Sequence, residues 1–294
     1  MIDVDKILFR ASSVGKIMGA SKNQITDKQL ERIDELLAKR SRTANQEIEL
    51  RKLQEKRDNP DTLSETCKTY LRELYKSVKY QREKIITSKY LEHGIQAEES
   101  AISLLSLEKG LFLKKNKERL TNRFLSGEPD VYLGPSIRQA EEGFDTKVCF
   151  SLFTLPDKGV DELDPNYFFQ DMAYCALTGA KKWTTVYTLC NASASLIQRE
   201  KERIFYLLNT PDDTDEEYMR RKIEIEKNMI FDLAQFRAEN PHYDLDCQDW
   251  RYDIDRKERL VEYVVHRDSS VIQAIYDQIE TCRKWIKDNL FVKD

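Results

Sequence analysis

The amino-acid sequence predicts an α/β fold in which helices flank a central β-sheet. Apolar residues recur at helical spacing in residues 93–106 and 166–178. Residues 143–150 alternate in the way that strands do, and residues 183–189 are rich in β-formers. With a strand-like segment at residues 123–133, the order along the chain is helix, strand, strand, helix, strand. This order indicates an α/β core.

The first of these helices carries an acidic residue on its predicted apolar face. That face is formed by Leu91, Ile95, Ile102 and Leu105. Glu98 lies on it, three residues after Ile95 and four before Ile102. A carboxylate there is costly unless it is paired or bound to a cation. Two interpretations stay open: Glu98 reaches water from the edge of the face, or it is a metal ligand.

The strand at residues 143–150 places an acid and an amine side by side. Because side chains alternate along a strand, Asp145 and Lys147 project from the same face. In the strand before it, Pro129 cannot donate a ladder hydrogen bond, which indicates a sheet edge or a bulge that re-aims Asp130. Carboxylates hold hard divalent cations, and a lysine can position or activate a water. These residues therefore suit a metal-dependent site that cleaves phosphodiester bonds.

The second helix is predicted from about Asn166 to Thr178, with Gly179 as its C-cap. Gln170 and Tyr174 are four residues apart and so share one face of it.

Composition excludes several classes of protein and fits a globular enzyme. A chain of 294 residues can bury a sizeable core, and it contains no run of apolar residues long enough to span a membrane. Six cysteines without a C-x-x-C pair indicate neither a zinc ribbon nor an iron–sulfur cluster. Reduced thiols and an N-terminus without a signal-peptide core predict a cytoplasmic protein. The net charge of −4 is not that of a purely electrostatic nucleic-acid binder, so local clusters matter more.

Two segments are candidates for contact with a phosphate backbone. A basic cluster directly before the strand of Asp130 comprises Lys114, Lys115, Lys117, Arg119 and Arg123. Near the N-terminus, Ser12 precedes a short helix; it is a simple N-cap, part of a phosphate site that Arg10 assists, or both. Residues 22–89 are highly charged and helical, with a break predicted at Asn59-Pro60. They form either an inserted arm or a partner-binding element.

Four motifs in this order resemble the PD-(D/E)xK nuclease superfamily, and within it the phage recombination exonucleases of the lambda exonuclease and YqaJ type. Ala11-Ser12 and the closing segment at residues 261–286 are also similar to that family. The resemblance covers residues 8–20, 90–190 and 260–290. The motifs are Gly94-x-x-x-Glu98, Pro129-Asp130, Asp145-x-Lys147 and Gln170-x-x-x-Tyr174.

The resemblance implies a restriction-endonuclease-like core, which is a central mixed β-sheet flanked by helices, with a helical insertion and helical C-terminal additions. It implies one nuclease domain over residues 1–294, with an inserted arm at 22–89 and a catalytic core at 90–190. Residues 200–294 would form a helical extension with a closing strand and helix.

The resemblance also implies roles for individual residues. Glu98, Asp130 and Asp145 would hold one or two Mg²⁺ ions, for which Mn²⁺ would substitute, with the main-chain carbonyl of Val148 as a further ligand. Lys147 would assist the attacking water. Gln170 would support the site by orienting that lysine or the water. The predicted DNA-binding residues are Arg10, Ser12, Lys114, Lys115, Lys117, Arg119 and Tyr174.

The function implied is a metal-dependent exonuclease that degrades linear double-stranded DNA 5′ to 3′ and exposes single strands for recombination. A single-strand annealing protein and further copies of the chain are expected partners. The alternatives are a structure-specific or restriction-like endonuclease, or a non-catalytic DNA-binding or assembly protein. The chain departs from the lambda type at Glu128, where a serine that helps hold the 5′-phosphate is expected. This departure places the recognition of a 5′-phosphate in question.

Overall fold

The computed structural model describes residues 2–18, 25–58, 63–209, 212 and 214–290. The helices are α1 (Val14–Met18), α2 (Asp27–Ala38), α3 (Ala44–Asp58), α4 (Glu65–Tyr80), α5 (Lys89–Lys109), α6 (Pro165–Thr178), α7 (Ala194–Leu208), α8 (Glu216–Met229), α9 (Leu233–Glu239) and α10 (Ser269–Leu290). The strands are β1 (Phe9–Arg10), β2 (Leu120–Thr121), β3 (Leu125–Gly127), β4 (Val131–Leu133), β5 (Glu142–Cys149), β6 (Lys182–Leu189) and β7 (Leu260–His266).

Four strands form the sheet that carries the candidate site, in the order β4-β5-β6-β7. β5 and β6 run parallel, with Asp145 opposite Thr185, and α6 supplies the crossover between them. β4 and β7 run antiparallel to their neighbours at the two edges. The sheet is therefore mixed, as predicted.

Helices α5 and α6 cover opposite faces of this sheet. α5 buries Ala101 and Leu105 against Phe144, while α6 packs on the face that carries Trp183. The Trp183 ring crosses Gly143, where an added Cβ atom would lie 2.0 Å from the ring. Only glycine at position 143 lets the indole lie this close to β5, so the strand needs this residue for the packing of α6.

The segment predicted as one strand at residues 123–133 forms two strands. β3 belongs to a small sheet of order β1-β3-β2, while β4 belongs to the central sheet. Residues 128–130 lie between them, and Pro129, which has no N–H to donate, stands at the break. The prediction of a continuous strand was wrong. The interruption has a use, because it brings Asp130 to the end of the central sheet.

Helix α5 is rotated relative to the face predicted for it. Leu91 is 46% exposed and Ile95 is 67% exposed, whereas His93, Ala97 and Ala101 are buried. Two small alanines and a histidine thus line the first half of the packed face, whereas Leu91 and Ile95 point outward. Hydrophobicity alone therefore misplaced the first half of this face, while Ile102 and Leu105 are buried as predicted.

The predicted arm contains three described helices. α2 and α3 form a hairpin around Ile33, Leu36 and Leu50, whereas α4 packs on α1 and α10. The break predicted at Asn59-Pro60 lies outside the described residues.

The C-terminal segment supplies both a closing strand and a third helical cluster. β7 completes the central sheet beside β6, and α10 packs on α1, α4 and α6. α7, α8 and α9 pack together around Ile197, Met229 and Phe236. Of the helices described here, none combines the length and the apolar character that crossing a membrane requires.

Candidate active site

Strand β5 brings Asp145 and Lys147 together on the face covered by α6. The two side chains form an ion pair in which the Lys147 ammonium contacts Asp145 Oδ2. Asp145 is almost completely buried, because the alternation of β5 places its side chain on the face that α6 covers. A carboxylate held this deep needs a cation or hydrogen-bond donors, and this site provides both.

Gln170 of α6 connects the acid and the amine. Its Nε2 donates to Asp145 Oδ1 at 3.0 Å and lies 3.0 Å from the Tyr174 hydroxyl. Lys147 Nζ in turn donates to Gln170 Oε1 at 3.3 Å. The predicted support by Gln170 therefore has a geometric basis, because one amide fixes the carboxylate and the ammonium at once.

Asp130 directly precedes β4, and its side chain contacts β5. Its Oδ2 accepts hydrogen bonds from the main-chain N–H of Thr146 at 2.8 Å and from the Thr146 hydroxyl at 3.1 Å. The preceding turn is fixed by Asn116, whose Nδ2 donates to the Pro129 carbonyl at 2.9 Å and whose N–H donates to the Asp130 carbonyl at 2.7 Å. Asp130 and Asp145 thus approach each other across one short stretch of β5.

The electrostatics of the site show a shortage of positive charge. Burial and, after it, the nearby Asp145 carboxylate together raise the pKa of Asp130 to about 7, although the Thr146 hydrogen bond and the Lys147 charge lower it. Burial disfavours the Lys147 ammonium, yet the Asp145 charge raises the pKa of Lys147 above its ordinary value. Asp145 therefore holds the lysine, and Asp130 lacks a cation of its own.

Glu98 comes from α5, on the opposite face of the sheet. It is half-buried, and the Lys115 ammonium lies 2.6 Å from its Oε2. The Glu98 charge contributes to the raised pKa of Asp130, so the two carboxylates lie within electrostatic range. Lys115 is brought there by an antiparallel bridge to Val131, the first residue of β4.

The three carboxylates do not form a closed ligand cage. Across the described part of the chain, no group of three or more His, Cys, Asp or Glu side chains is spaced to hold a metal ion unaided. The donor chemistry nevertheless fits a hard divalent cation, which prefers carboxylate and carbonyl oxygens. The raised pKa of Asp130 is the independent observation that a further positive charge would be favourable at this place.

The main-chain carbonyl of Val148 points to the edge of β5 that Asp130 contacts. Backbone groups of a strand point alternately to its two neighbours. Since the N–H of Thr146 points toward Asp130, the carbonyl two residues later points to the same side. β4 pairs only with residues 142–144, so it does not cover that carbonyl.

The predicted DNA-binding residues have different environments. Lys115 pairs with Glu98, and Arg119 pairs with Glu128 at 3.1 Å on the protein surface. Arg10 pairs with Glu83, which follows α4. Ser12, Lys114 and Lys117 are exposed.

One prediction of a DNA contact is corrected by the structure. Tyr174 is 4% exposed and lies beside Gln170 in the core, so its ring is not available to nucleic acid. It supports Gln170 instead.

Sequence reasoning missed Asp171, which stands behind the site. The residue is fully buried, and the Thr185 hydroxyl donates to its Oδ2 at 2.7 Å. Burial and, after it, the Asp145 charge together raise the pKa of Asp171 to about 8. An acidic residue between Gln170 and Met172 on a buried face was the signal that could have identified it.

Solved structures of two exonucleases are similar to this chain. A phage-related exonuclease from Haemophilus somnus 129PT matches with a TM-score of 0.59 at 20% identity, over 97% of this chain and 96% of that chain. LHK-Exo, an alkaline exonuclease from Laribacter hongkongensis, matches with a TM-score of 0.48 at 10% identity, over 97% and 90% of the two chains. Neither a family model nor a curated protein sequence matches the chain. The first similarity confirms the predicted restriction-endonuclease-like fold class.

Proposed function

We propose that this chain is a metal-dependent exonuclease acting on linear double-stranded DNA, 5′ to 3′, to expose single strands for recombination. The observation that carries the proposal is the meeting of Asp130, Asp145 and Lys147 at one edge of β5, with the Glu98 charge in range. The fold shared with a phage-related exonuclease supports the same conclusion.

In this proposal, Asp130, Asp145, Glu98 and the Val148 carbonyl hold Mg²⁺, for which Mn²⁺ substitutes. The bound ion would supply Lewis-acid polarisation of the scissile phosphate and stabilise its developing negative charge. The Lys147 ammonium orients the attacking water and offsets that charge, since Gln170 holds it beside Asp145. Gln170 keeps both partners in place while water enters.

Two other functions fit the same fold. An endonuclease would use the same carboxylates, and a non-catalytic DNA-binding protein would not need them. The ion pair of Asp145 with Lys147 favours an enzyme, as do the hydrogen bond that Gln170 donates to Asp145 and the one that it accepts from Lys147, because binding alone requires no such arrangement of buried groups. Between the two enzymes, the likeness to an exonuclease favours dependence on DNA ends.

The test is digestion of two duplexes of equal sequence, one linear and one covalently closed, with Mg²⁺. We expect the linear duplex to be degraded and the closed circle to persist. Rapid cleavage of the circle would favour the endonuclease, and no cleavage of either duplex would favour the binding protein. A strand-specific label at each 5′ and 3′ end tests the direction in the same reaction.

A further inference from the structure

The candidate site contains more carboxylates than lysines. Lys147 contacts Asp145, and Lys115 lies 2.6 Å from Glu98. The two hydrogen bonds that Asp130 receives come from the neutral donors of Thr146. Two ammonium groups thus stand against three carboxylates, and each ammonium occupies a carboxylate that the proposed function assigns to a metal ion.

The two lysines differ in their freedom to move. Lys147 is held by Asp145 and Gln170 and lies over the Tyr167 ring at 4.6 Å. Lys115 has an exposed side chain whose ammonium has one acidic partner, Glu98. Its backbone is fixed beside Asp130 by the bridge to β4. The Lys115 ammonium can therefore leave Glu98 without any change in the backbone.

We infer, on the basis of the proposed function, that Lys115 is a positioning residue. Its ammonium pairs with Glu98 until a divalent metal ion displaces it. In the metal-free protein the ammonium keeps Glu98 beside Asp130 and limits the repulsion between them. When the metal ion binds, the Lys115 ammonium turns away from Glu98 toward the solvent. It then contacts a backbone phosphate of the bound DNA.

The competition follows from electrostatics. An ammonium and a divalent cation cannot both lie within bonding distance of one carboxylate oxygen without strong mutual repulsion. A lysine–glutamate pair that is partly exposed to solvent is weak, so a divalent cation held by two further carboxylates replaces it readily. Lys115 is thus well placed to stabilise the metal-free site at little cost to metal binding.

The first experiment measures Mn²⁺ binding by calorimetry without DNA, in wild type, Lys115→Met and Lys115→Gln. Both variants should bind Mn²⁺ roughly three- to tenfold more tightly than wild type, because the competing ammonium is gone. The matched control is Lys109→Met. Lys109 pairs with Glu262 at 2.6 Å at the other end of α5 and has nearly the same exposure as Lys115. This control should leave Mn²⁺ affinity unchanged.

The second experiment measures binding of a hydrolysis-resistant phosphorothioate duplex at several salt concentrations, with Mn²⁺ and with chelator. With Mn²⁺, Lys115→Met should lower the slope of log affinity against log salt by about one phosphate contact. With chelator the two slopes should agree, because Glu98 then holds the lysine. Lys115→Arg should restore the wild-type slope with Mn²⁺.

The outcomes separate this inference from the proposed function. If wild type binds no Mn²⁺, the proposed function fails and this inference fails with it. If wild type binds Mn²⁺ and the neutral variants bind it equally or more weakly, the displacement of Lys115 is wrong and the metal site stands. A loss of salt slope that is the same with and without Mn²⁺ would show that Lys115 is always free, which also overturns the inference.

Discussion

In the described part of the chain, two clusters of lysines and carboxylates differ in charge balance. In the helical cluster of α7 and α8, Lys201 bonds Glu226 at 2.7 Å and Asp246 at 2.6 Å. Lys222 adds a second bond to Asp246 at 2.7 Å, and the N–H groups of residues 246 and 247 donate to Glu226. Two lysines meet two carboxylates, and each carboxylate is bonded through both of its oxygens.

The cluster at β5 lacks this balance. Three carboxylates share two lysines, and the pKa of Asp130 is raised to about 7. In the helical cluster, burial opposes ionisation, yet bonds from Lys201 and Lys222 lower the pKa of Asp246. A balanced cluster fixes three segments of backbone to one another. An unbalanced one is costly to the fold, and in the proposed function a bound divalent cation would offset that cost.

The largest expected effect is the loss of DNA cleavage when a carboxylate of the β5 cluster is neutralised. Asp130→Asn and Asp145→Asn should each abolish DNA cleavage, because each removes a negative charge proposed to hold the metal ion. Asp130→Asn should keep or raise the metal-free stability, since it relieves repulsion. Asp145→Asn deprives Lys147 of its partner and should not show that gain. Initial cleavage rates and urea unfolding of both variants test this, and full activity in either would contradict the assignment.

The second effect concerns the lysine of the unbalanced cluster. Lys147→Ala should lower the cleavage rate by about 10²–10³-fold, the usual contribution of one preorganised donor. Mn²⁺ binding should persist, because the carboxylates remain. If calorimetry showed no binding in a folded variant, Lys147 would be required to build the metal site, and its role toward water would be wrong.

The third effect belongs to the balanced cluster. Lys201→Ala should lower the free energy of unfolding by about 3–5 kcal/mol, because Glu226 is left buried with its cation removed. Cleavage by the protein that remains folded should be near wild type. Urea unfolding followed by circular dichroism measures the loss, and a loss below about 1 kcal/mol would show that the cluster does not hold the helices together.

The smallest effect is a difference in pH dependence between the clusters. The pKa of Asp130 is raised from 3.8 to about 7, so the folded protein binds the extra proton and the contribution of Asp130 to stability falls as pH rises through that interval. The pKa of Asp246 is lowered, so its contribution is lost as pH falls. Metal-free Asp130→Asn should therefore lose less stability than wild type between about pH 4 and about pH 7. Equal slopes for the two proteins would contradict the shortage of positive charge.

The sequence predicted the parts of the core that depend on short-range patterns. Alternation placed Asp145 and Lys147 on one face, and a spacing of four placed Gln170 against Tyr174. Gly179 ends α6 in a left-handed conformation, as predicted. The mixed sheet and its flanking helices are confirmed. These features are decided by neighbours along the chain.

The remaining features depend on contacts between distant segments. The rotation of α5 could not be read from hydrophobicity, because small alanines rather than Leu91 and Ile95 fit against the sheet. The pairing of Lys115 with Glu98 requires a bridge to β4 that joins residues far apart in sequence. The hydrogen bond from Thr185 of β6 to Asp171 of α6 is also a tertiary contact, although the acidic residue on the buried face of α6 was itself visible in the sequence.

Calorimetric titration of Mn²⁺ into wild type and Asp130→Asn tests the central claim most directly. If the carboxylates at β5 bind a divalent cation, wild type should bind Mn²⁺ saturably. Asp130→Asn should be folded and at least as stable as wild type but show no saturable binding. Equal binding by the two proteins, or none by wild type, would contradict the account.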